Sequence, residues 1–358
     1  MITTLSKKLR RAFRFLSGQK KKLFVHAGTY KTGTTYFQHV VYHNIKALRA
    51  QGLYYPITGL GLKTPHNKYA HRLLGIRLSS GHSNAFPTII KALQDDPDLS
   101  AGLVSYEGFA RPATIEKLQA EAACFAPVEL HSILVFRPHI DFALSLYREL
   151  CQHVDFSAPF EELIKPTTAT GRGWHRSLNY QEIIEGWLAL TGRKNLHIFS
   201  YRRIKVDLVN ALIAPTGYVG ALEPPEKTEQ NKTLSAPVAA LMRRLNQQKF
   251  KAPLRHKLAA ELTVLDRQFP EFERFCEITQ TQAKALEETF ASDRDYLKSW
   301  GFDAEKDLML DGTWQWGEET NMDAAINQAH EALIGQLEGE DKPKMLAVTN
   351  AAWLANKT

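Results

Sequence analysis

The sequence predicts an α/β protein with three layers, in which a central, mostly parallel sheet is flanked by helices, and with a mainly helical C-terminal part. Short apolar runs of strand length alternate with stretches of helical periodicity, which is typical of a parallel sheet covered on both faces. From Leu234 onward the pattern is mainly helical. The chain has 358 residues, of which 44% are hydrophobic, and can therefore bury a sizeable core.

Four apolar runs have the length of buried strands. They predict strands at residues 23–27, 101–105, 132–136 and 196–200. Apolar residues at helical spacing predict the helices. These helices are expected at residues 36–49, 139–151, 179–190, 272–290 and 322–337. The first strand, its loop and the following helix form the opening unit of a doubly wound sheet.

We predict three parts in the chain: a basic N-terminal extension at 1–22, a central α/β domain at 23–303, and a helical or irregular extension at 304–358. In residues 1–22, apolar side chains recur at helical spacing among lysines and arginines. The pattern fits a helix on an anionic membrane, which would give peripheral membrane contact. It also fits a solvated basic tail, which is the usual form of such charge runs and the interpretation we favour.

A formal net charge of +7 favours anionic partners. Charge alone does not choose among nucleic acid, anionic lipid, a polyanionic sugar and a phosphorylated nucleotide. We expect no nucleic-acid partner, because no basic-aromatic module is present. Cys124, Cys151 and Cys276 form no CxxC pair, which indicates a reducing compartment and no structural zinc. We therefore expect a cytoplasmic protein. Its oligomeric state is not predicted.

The most informative segment is HAGTYKTGTT at residues 26–35, between a predicted strand and a predicted helix. A loop that enters a helix presents free backbone N–H groups and the positive end of the helix dipole. Glycine lets such a loop curl around tetrahedral oxygens, lysine adds a positive charge, and threonines add hydroxyl donors. The predicted anion contacts are Lys31, Thr32, Gly33, Thr34 and Thr35.

The order of residues in this loop differs from GxxxxGK[ST], the loop of nucleoside triphosphatases, in which the lysine directly follows the second glycine. Here Thr34 follows Gly33, and Lys31 precedes that glycine by two positions. We also find no strand ending in the aspartate that such enzymes use for Mg²⁺. The sequence therefore predicts a phosphate or sulfate site without a dedicated metal ligand.

The segment KTGTT at residues 31–35 resembles the 5'-phosphosulfate loop of sulfotransferases that use 3'-phosphoadenosine 5'-phosphosulfate (PAPS), particularly the bacterial carbohydrate sulfotransferases. The segment FRPHIDFALSLY at residues 136–147 is similar to the 3'-phosphate motif of that family. The resemblance implies a P-loop-type fold, PAPS as co-substrate, adenosine 3',5'-bisphosphate as product, and no metal. It also implies that Arg137 and Ser145 bind the 3'-phosphate.

The resemblance further implies that Lys31 stabilises the leaving group and that Glu107, at the end of a predicted strand, is the base. His66 is the rival for that role, and Lys232 is a candidate for closing over the nucleotide. A carbohydrate or glycolipid is the first choice of acceptor by family habit, while a peptide side chain and a small alcohol stay open. Two other classes are a P-loop kinase or nucleoside triphosphatase and a non-catalytic PAPS-binding relative.

Overall fold

A computed structural model of the protein describes residues 19–62, 68–81, 85–165, 174–226, 233–309, 315–317, 321–339 and 341–354. The chain divides into two compact units, both of which are built from separate segments. The first comprises Met1–Arg137, Asn179–Glu229 and Asp295–Asp307. The second comprises Pro138–Leu178, Gln230–Arg294 and Leu308–Thr358. The boundaries predicted from the sequence, at 22/23 and 303/304, stay predictions.

The strands are β1 (Lys22–His26), β2 (Leu53–Tyr54), β3 (Ala101–Ser105), β4 (Glu129–Phe136) and β5 (Leu196–Ser200). The helices are α1 (Thr34–His43), α2 (Ile45–Ala50), α3 (Arg72–Ser79), α4 (Ala85–Asp95), α5 (Pro112–Ala120), α6 (His139–His153), α7 (Phe160–Ile164), α8 (Tyr180–Thr191), α9 (Tyr201–Ile204), α10 (Leu208–Ile213), α11 (Ala236–Asn246), α12 (Ala252–Asp266), α13 (Gln280–Thr289), α14 (Ala291–Lys298), α15 (Met322–Gln336) and α16 (Lys342–Leu354). Short 3₁₀ and π turns connect several of them.

The first unit is built on a five-stranded sheet in the order β2-β3-β1-β4-β5. All four strand pairs are parallel. On one face, helices α1 and α10 contribute Phe37, Val41 and Leu212 to a core with the sheet residues Phe24 and Val135. On the other face, α8 packs against α5 and β4. The predicted α/β fold with a parallel sheet between helical layers is confirmed.

In the first unit, residues 295–307 are bound to the end of β5 by a buried carboxylate. Asp307 accepts a hydrogen bond from the Ser200 hydroxyl at 2.8 Å. It also pairs with the guanidinium of Arg203. Because Ser200 ends β5, this carboxylate joins the distant segment to the carboxyl edge of the sheet.

The second unit is helical within the residues that the structure describes. Its core combines α11, α12, α15 and α16, with Met242, Leu262 and Ala329 among the fully buried side chains. Among the described helices of the whole chain, none combines the length and the apolar character that crossing a bilayer requires.

Most predicted elements are present, two predicted helices have other bounds, and β2 and the helices α3, α4 and α5 were not predicted. The helix predicted at 36–49 is two helices, interrupted at Asn44, whose side-chain amide donates to the carbonyls of Val40 and Glu223 at 2.8 Å each. The helix predicted at 272–290 begins only at Gln280, because Thr279 forms a capping box with Gln282. The strand β2 has two residues and is too short to produce an apolar pattern.

Candidate functional site

The loop at residues 27–33 leaves the carboxyl end of β1, the middle strand of the sheet. The chain goes from β1 to the edge strand β2 on one side and later crosses to β4 on the other side. Ligands of open α/β sheets bind at such a reversal of strand order. The start of the loop continues the strand pairing, since the Ala27 amide donates to the Ile133 carbonyl at 2.9 Å. The Thr29 hydroxyl donates to the Val135 carbonyl at 2.8 Å.

Two residues of the loop have left-handed backbone conformations, Lys31 with φ of 65° and Gly33 with φ of 74°. A Cβ atom on Gly33 would also lie 2.5 Å from a terminal methyl group of Leu208, so a larger residue would strain the backbone and displace that side chain. A Cβ on Gly28 would lie 2.6 Å from the Thr34 methyl group and 2.9 Å from His26 Nε2. Successive turns of this kind point backbone N–H groups toward one concave side, which favours anions.

The threonines of the loop differ in their surroundings. Thr32 is fully buried, and its hydroxyl donates to the Thr29 carbonyl at 2.6 Å. Thr34 is buried at the first position of α1, and its hydroxyl donates to Glu107. Thr35 is exposed, and Lys31 is half-buried. Thr32 and Thr34 therefore hold the loop through their hydroxyls.

Arg137 lies beside the loop. Its Nη1 atom donates to the Lys31 carbonyl at 2.7 Å, and its guanidinium carbon lies 5.4 Å from the centre of the Tyr201 ring. Its own carbonyl accepts from the Tyr180 hydroxyl at 3.0 Å. The end of β4 and the loop after β1 are thus joined by an arginine that lies at the carboxyl edge of the sheet.

The roles predicted for the other residues, Ser145, His66 and Lys232, stay predictions. Ser145 lies in α6 of the second unit and is half-buried. His66 and Lys232 lie outside the described residues. The structure brings together Lys31, Thr34, Glu107 and Arg137.

Glu107 is buried, with 5% of its surface exposed, in the short 3₁₀ helix that follows β3. Its Oε1 atom accepts from the Thr34 hydroxyl at 2.6 Å. A carboxylate at the first turn of a helix is stabilised by the helix dipole. The hydrogen bond therefore holds a carboxylate at the start of α1, next to the loop.

A network of neutral polar groups lies beneath the loop. The Ser105 hydroxyl lies 2.8 Å from His26 Nδ1 and accepts from the Gln38 amide at 3.2 Å. The Ser105 amide donates to His71 Nδ1 at 3.0 Å. His71 therefore carries its proton on Nε2, which donates to the Pro56 carbonyl at 2.9 Å. Burial lowers the pKa of His26 to about 3 and the pKa of His71 to about 4.

We compared the chain with known proteins. No protein-family model and no curated protein matches it. Among solved structures, it is similar to the crystal structure of a sulfotransferase from Alicyclobacillus acidocaldarius, with 15% sequence identity and a TM-score of 0.38. The match covers 65% of this chain and 93% of that one.

Sequence reasoning assigned no role to a second arginine of the site. The Arg111 Nε atom donates to the Tyr30 hydroxyl at 2.6 Å, and its guanidinium lies over the Tyr30 ring at 5.4 Å. Burial raises the pKa of Tyr30 above its ordinary value. The only signal in the sequence was the position of Arg111, four residues after Glu107. Contact with the loop depends on the fold.

The arrangement combines backbone donors, a lysine and an arginine around one loop, with a buried carboxylate at the helix start. The cationic groups can neutralise an anionic ligand and hold its oxygens. The carboxylate can accept a proton from a group that approaches the loop. Together they can support displacement at a tetrahedral, anionic centre.

Proposed function

We propose that the protein is a sulfotransferase that transfers a sulfuryl group from PAPS to a hydroxyl or an amine of an acceptor. The observation that carries the proposal is the hydrogen bond from Arg137 to the Lys31 carbonyl. It brings the guanidinium of Arg137 to the backbone of the loop at Lys31, 106 residues earlier in the chain. PAPS carries anionic groups at both its 5' and its 3' positions, so its site needs two sources of positive charge.

The loop is the proposed site of the phosphosulfate. Its backbone is left-handed at Lys31 and Gly33, and it enters α1, whose first N–H groups and dipole favour an anion. Lys31 is the proposed partner of the bridging oxygen. The lysine lies before Gly33 rather than after it, which favours a sulfuryl over a Mg²⁺-bound phosphoryl donor.

Arg137 is the proposed partner of the 3'-phosphate. Guanidinium binds phosphate through two parallel hydrogen bonds. The Tyr180 and Tyr201 contacts restrict the backbone and the side chain of Arg137, which lowers the entropy lost on binding. Ser145 is proposed as a second ligand of this phosphate by the resemblance alone.

The proposed reaction is an in-line displacement at sulfur. The acceptor oxygen or nitrogen forms a bond to sulfur as the bond from sulfur to the 5'-phosphate oxygen breaks, and adenosine 3',5'-bisphosphate leaves. Glu107 is the proposed base that takes the acceptor proton, with His66 as the alternative. The bond from Thr34 supports this role, since it fixes the carboxylate beside the loop.

The acceptor is proposed to be a carbohydrate or a glycolipid, which rests on the resemblance in the sequence. The transfer experiment uses radiolabelled PAPS, the full chain and a fractionated extract of its host, with identification of the labelled product. We expect label transfer that persists in the presence of a metal chelator.

The donor side is tested with Lys31→Ala. We expect transfer to fall by about 10²–10³-fold, the usual loss when one group that stabilises developing charge is removed. Lys46→Ala, at an exposed position of α2, is the matched control and should retain full activity. Full turnover by the Lys31 variant would contradict the proposed role of Lys31 in the reaction. Magnesium-dependent ATP turnover would indicate a kinase or triphosphatase, and PAPS binding without transfer would indicate a non-catalytic relative.

A further inference from the structure

The positive charge of the protein is concentrated in one part of the chain. The first 94 residues contain 16 Lys and Arg residues and neither Asp nor Glu, so that Asp95 is the first carboxylate of the sequence. The whole chain has 45 basic and 38 acidic residues. The remaining 264 residues therefore contain 29 basic residues and all 38 acidic ones. Those 264 residues are therefore net negative, and the N-terminal quarter alone accounts for the basic character of the protein.

Within that quarter, one surface of the first unit combines basic with apolar side chains. Residues 57–62 are joined to the segment that ends in α3 by two hydrogen bonds, from the Leu73 amide to the Gly59 carbonyl and from the Gly61 amide to the Ala70 carbonyl, each 3.0 Å long. We call this surface the amphiphilic patch. Its members are Ile57, Leu62, Lys68, Arg72, Leu73, Ile76 and Arg77.

The apolar side chains of the patch are exposed because of the helical period of α3. Leu74, Gly75 and Leu78 are buried on one side of the helix, which packs against α4 and α5. Leu73 and Ile76 lie on the opposite side, with 37% and 44% of their surfaces exposed. The neighbouring loop adds Ile57, at 59% exposed, and Leu62, at 39%. Four large aliphatic side chains thus face solvent on two adjoining segments.

The basic side chains of the patch lie among these apolar ones. Lys68 and Arg77 are exposed, and Arg72 is half-buried. Within the described part of the chain, none of the three forms a salt bridge. A surface that mixes exposed aliphatic and cationic side chains matches the interface of an anionic bilayer, where cations meet lipid phosphates and aliphatic side chains enter the acyl boundary.

We propose that the amphiphilic patch docks the protein on the surface of a bilayer that contains anionic phospholipid. A polyanionic glycan would be attracted by the same charges, but it would leave the aliphatic side chains in water. An anionic bilayer can contact both the basic and the aliphatic side chains of the patch. The proposal does not depend on the sulfotransferase activity, and it concerns the folded first unit rather than residues 1–22.

Co-sedimentation of the full chain with vesicles tests the proposal. The vesicles are made of phosphatidylcholine, with and without one third phosphatidylglycerol. We expect the parent protein to bind only the vesicles that contain phosphatidylglycerol. The Ile76→Glu variant should bind these vesicles roughly tenfold more weakly than the parent protein. The matched control is Val264→Glu, at a position of the second unit that is 54% exposed. Both variants exchange one exposed aliphatic side chain for one carboxylate.

The matched pair separates the patch from the basic tail, because binding through residues 1–22 alone would respond equally to both substitutions. Equal affinities of the two variants would therefore overturn the proposal. So would equal binding to neutral and anionic vesicles, or retention on heparin without binding to either kind of vesicle. Leu73→Ser removes an apolar group without adding charge and should also weaken binding. Circular dichroism confirms that the variants are folded.

Discussion

In the second unit, Arg148 donates to both carboxylate oxygens of Glu277, at 2.5 and 2.8 Å, and to the Phe275 carbonyl at 3.0 Å. At the carboxyl edge of the sheet, Arg137 donates to a loop carbonyl and packs on a tyrosine ring. The carboxylate partner of Arg148 is buried, since only 8% of the Glu277 side chain is exposed. Arg148 thus bonds to a buried carboxylate, whereas Arg137 bonds to the backbone of the loop after β1.

The glutamates of the two regions differ in the same way. Glu277 accepts from a guanidinium, whereas Glu107 accepts from the neutral hydroxyl of Thr34. The two carboxylates thus differ in their hydrogen-bond donors, a guanidinium for Glu277 and the hydroxyl at the start of α1 for Glu107. We therefore expect substitutions in the second unit to change stability and substitutions at the sheet edge to change activity.

The largest effect on stability is expected for Arg148→Ala. The substitution leaves Glu277 buried without its cation, which costs about 3–5 kcal/mol in the free energy of unfolding. Urea denaturation measures the change. Arg267→Ala, at an exposed position of the same unit, should stay within about 0.5 kcal/mol of the parent protein. A loss below about 1 kcal/mol for Arg148→Ala would mean that the ion pair is not a structural element.

Glu107→Gln is expected to lower the transfer rate by about 10²-fold, because general-base catalysis usually contributes at least that factor. Binding of adenosine 3',5'-bisphosphate, measured by calorimetry, should change little, since the substitution keeps the shape and the hydrogen bond from Thr34. Glu116→Gln, an exposed position of α5, is the control. An unchanged rate for the Glu107 variant would direct attention to His66.

Arg137→Ala is expected to lower the preference for adenosine 3',5'-bisphosphate over adenosine 5'-monophosphate by about tenfold, the value of one charged hydrogen-bonding group. The ratio of the two affinities is informative because damage to the loop would weaken both nucleotides equally. Arg193→Ala, which removes a guanidinium stacked 4.0 Å over the Trp300 ring, should leave the ratio intact. A ratio that survives Arg137→Ala would place the 3'-phosphate elsewhere.

The smallest effect concerns the neutral histidines beneath the loop. The pKa of His71 is about 4 in the folded protein, whereas an unfolded histidine has a pKa of about 6.5. Between about pH 6.5 and pH 4, His71 is protonated in the unfolded chain and neutral in the folded protein. Lowering the pH over this range therefore decreases the free energy of unfolding. His71→Gln should flatten this loss, as measured by urea midpoints between pH 7 and pH 4.5. If the urea midpoints of the variant and the parent protein depend on pH equally, His71 does not contribute to the pH dependence of stability.

Much of the fold could be predicted because each element depends on local patterns. The strands at 101–105 and 196–200 are present with those bounds, since apolar runs bounded by turn residues are long enough to identify a buried strand. The helix predicted at 36–49 was wrong as one element, because Asn44 bonds to the carbonyl of Glu223. A contact between residues 179 positions apart leaves no signal in a window of neighbouring residues.

By itself the sequence determined the Gly/Thr-rich loop, its place between a strand and a helix, and the arginine at the end of another strand. These features depend on residue type and on spacing within short segments. Only the tertiary structure decided that Arg137 bonds to the Lys31 carbonyl, that Thr34 holds Glu107 and that Tyr30 meets Arg111. Those contacts arise where the carboxyl ends of β1, β3 and β4 meet at one edge, because parallel pairing aligns strand ends that are distant in the chain.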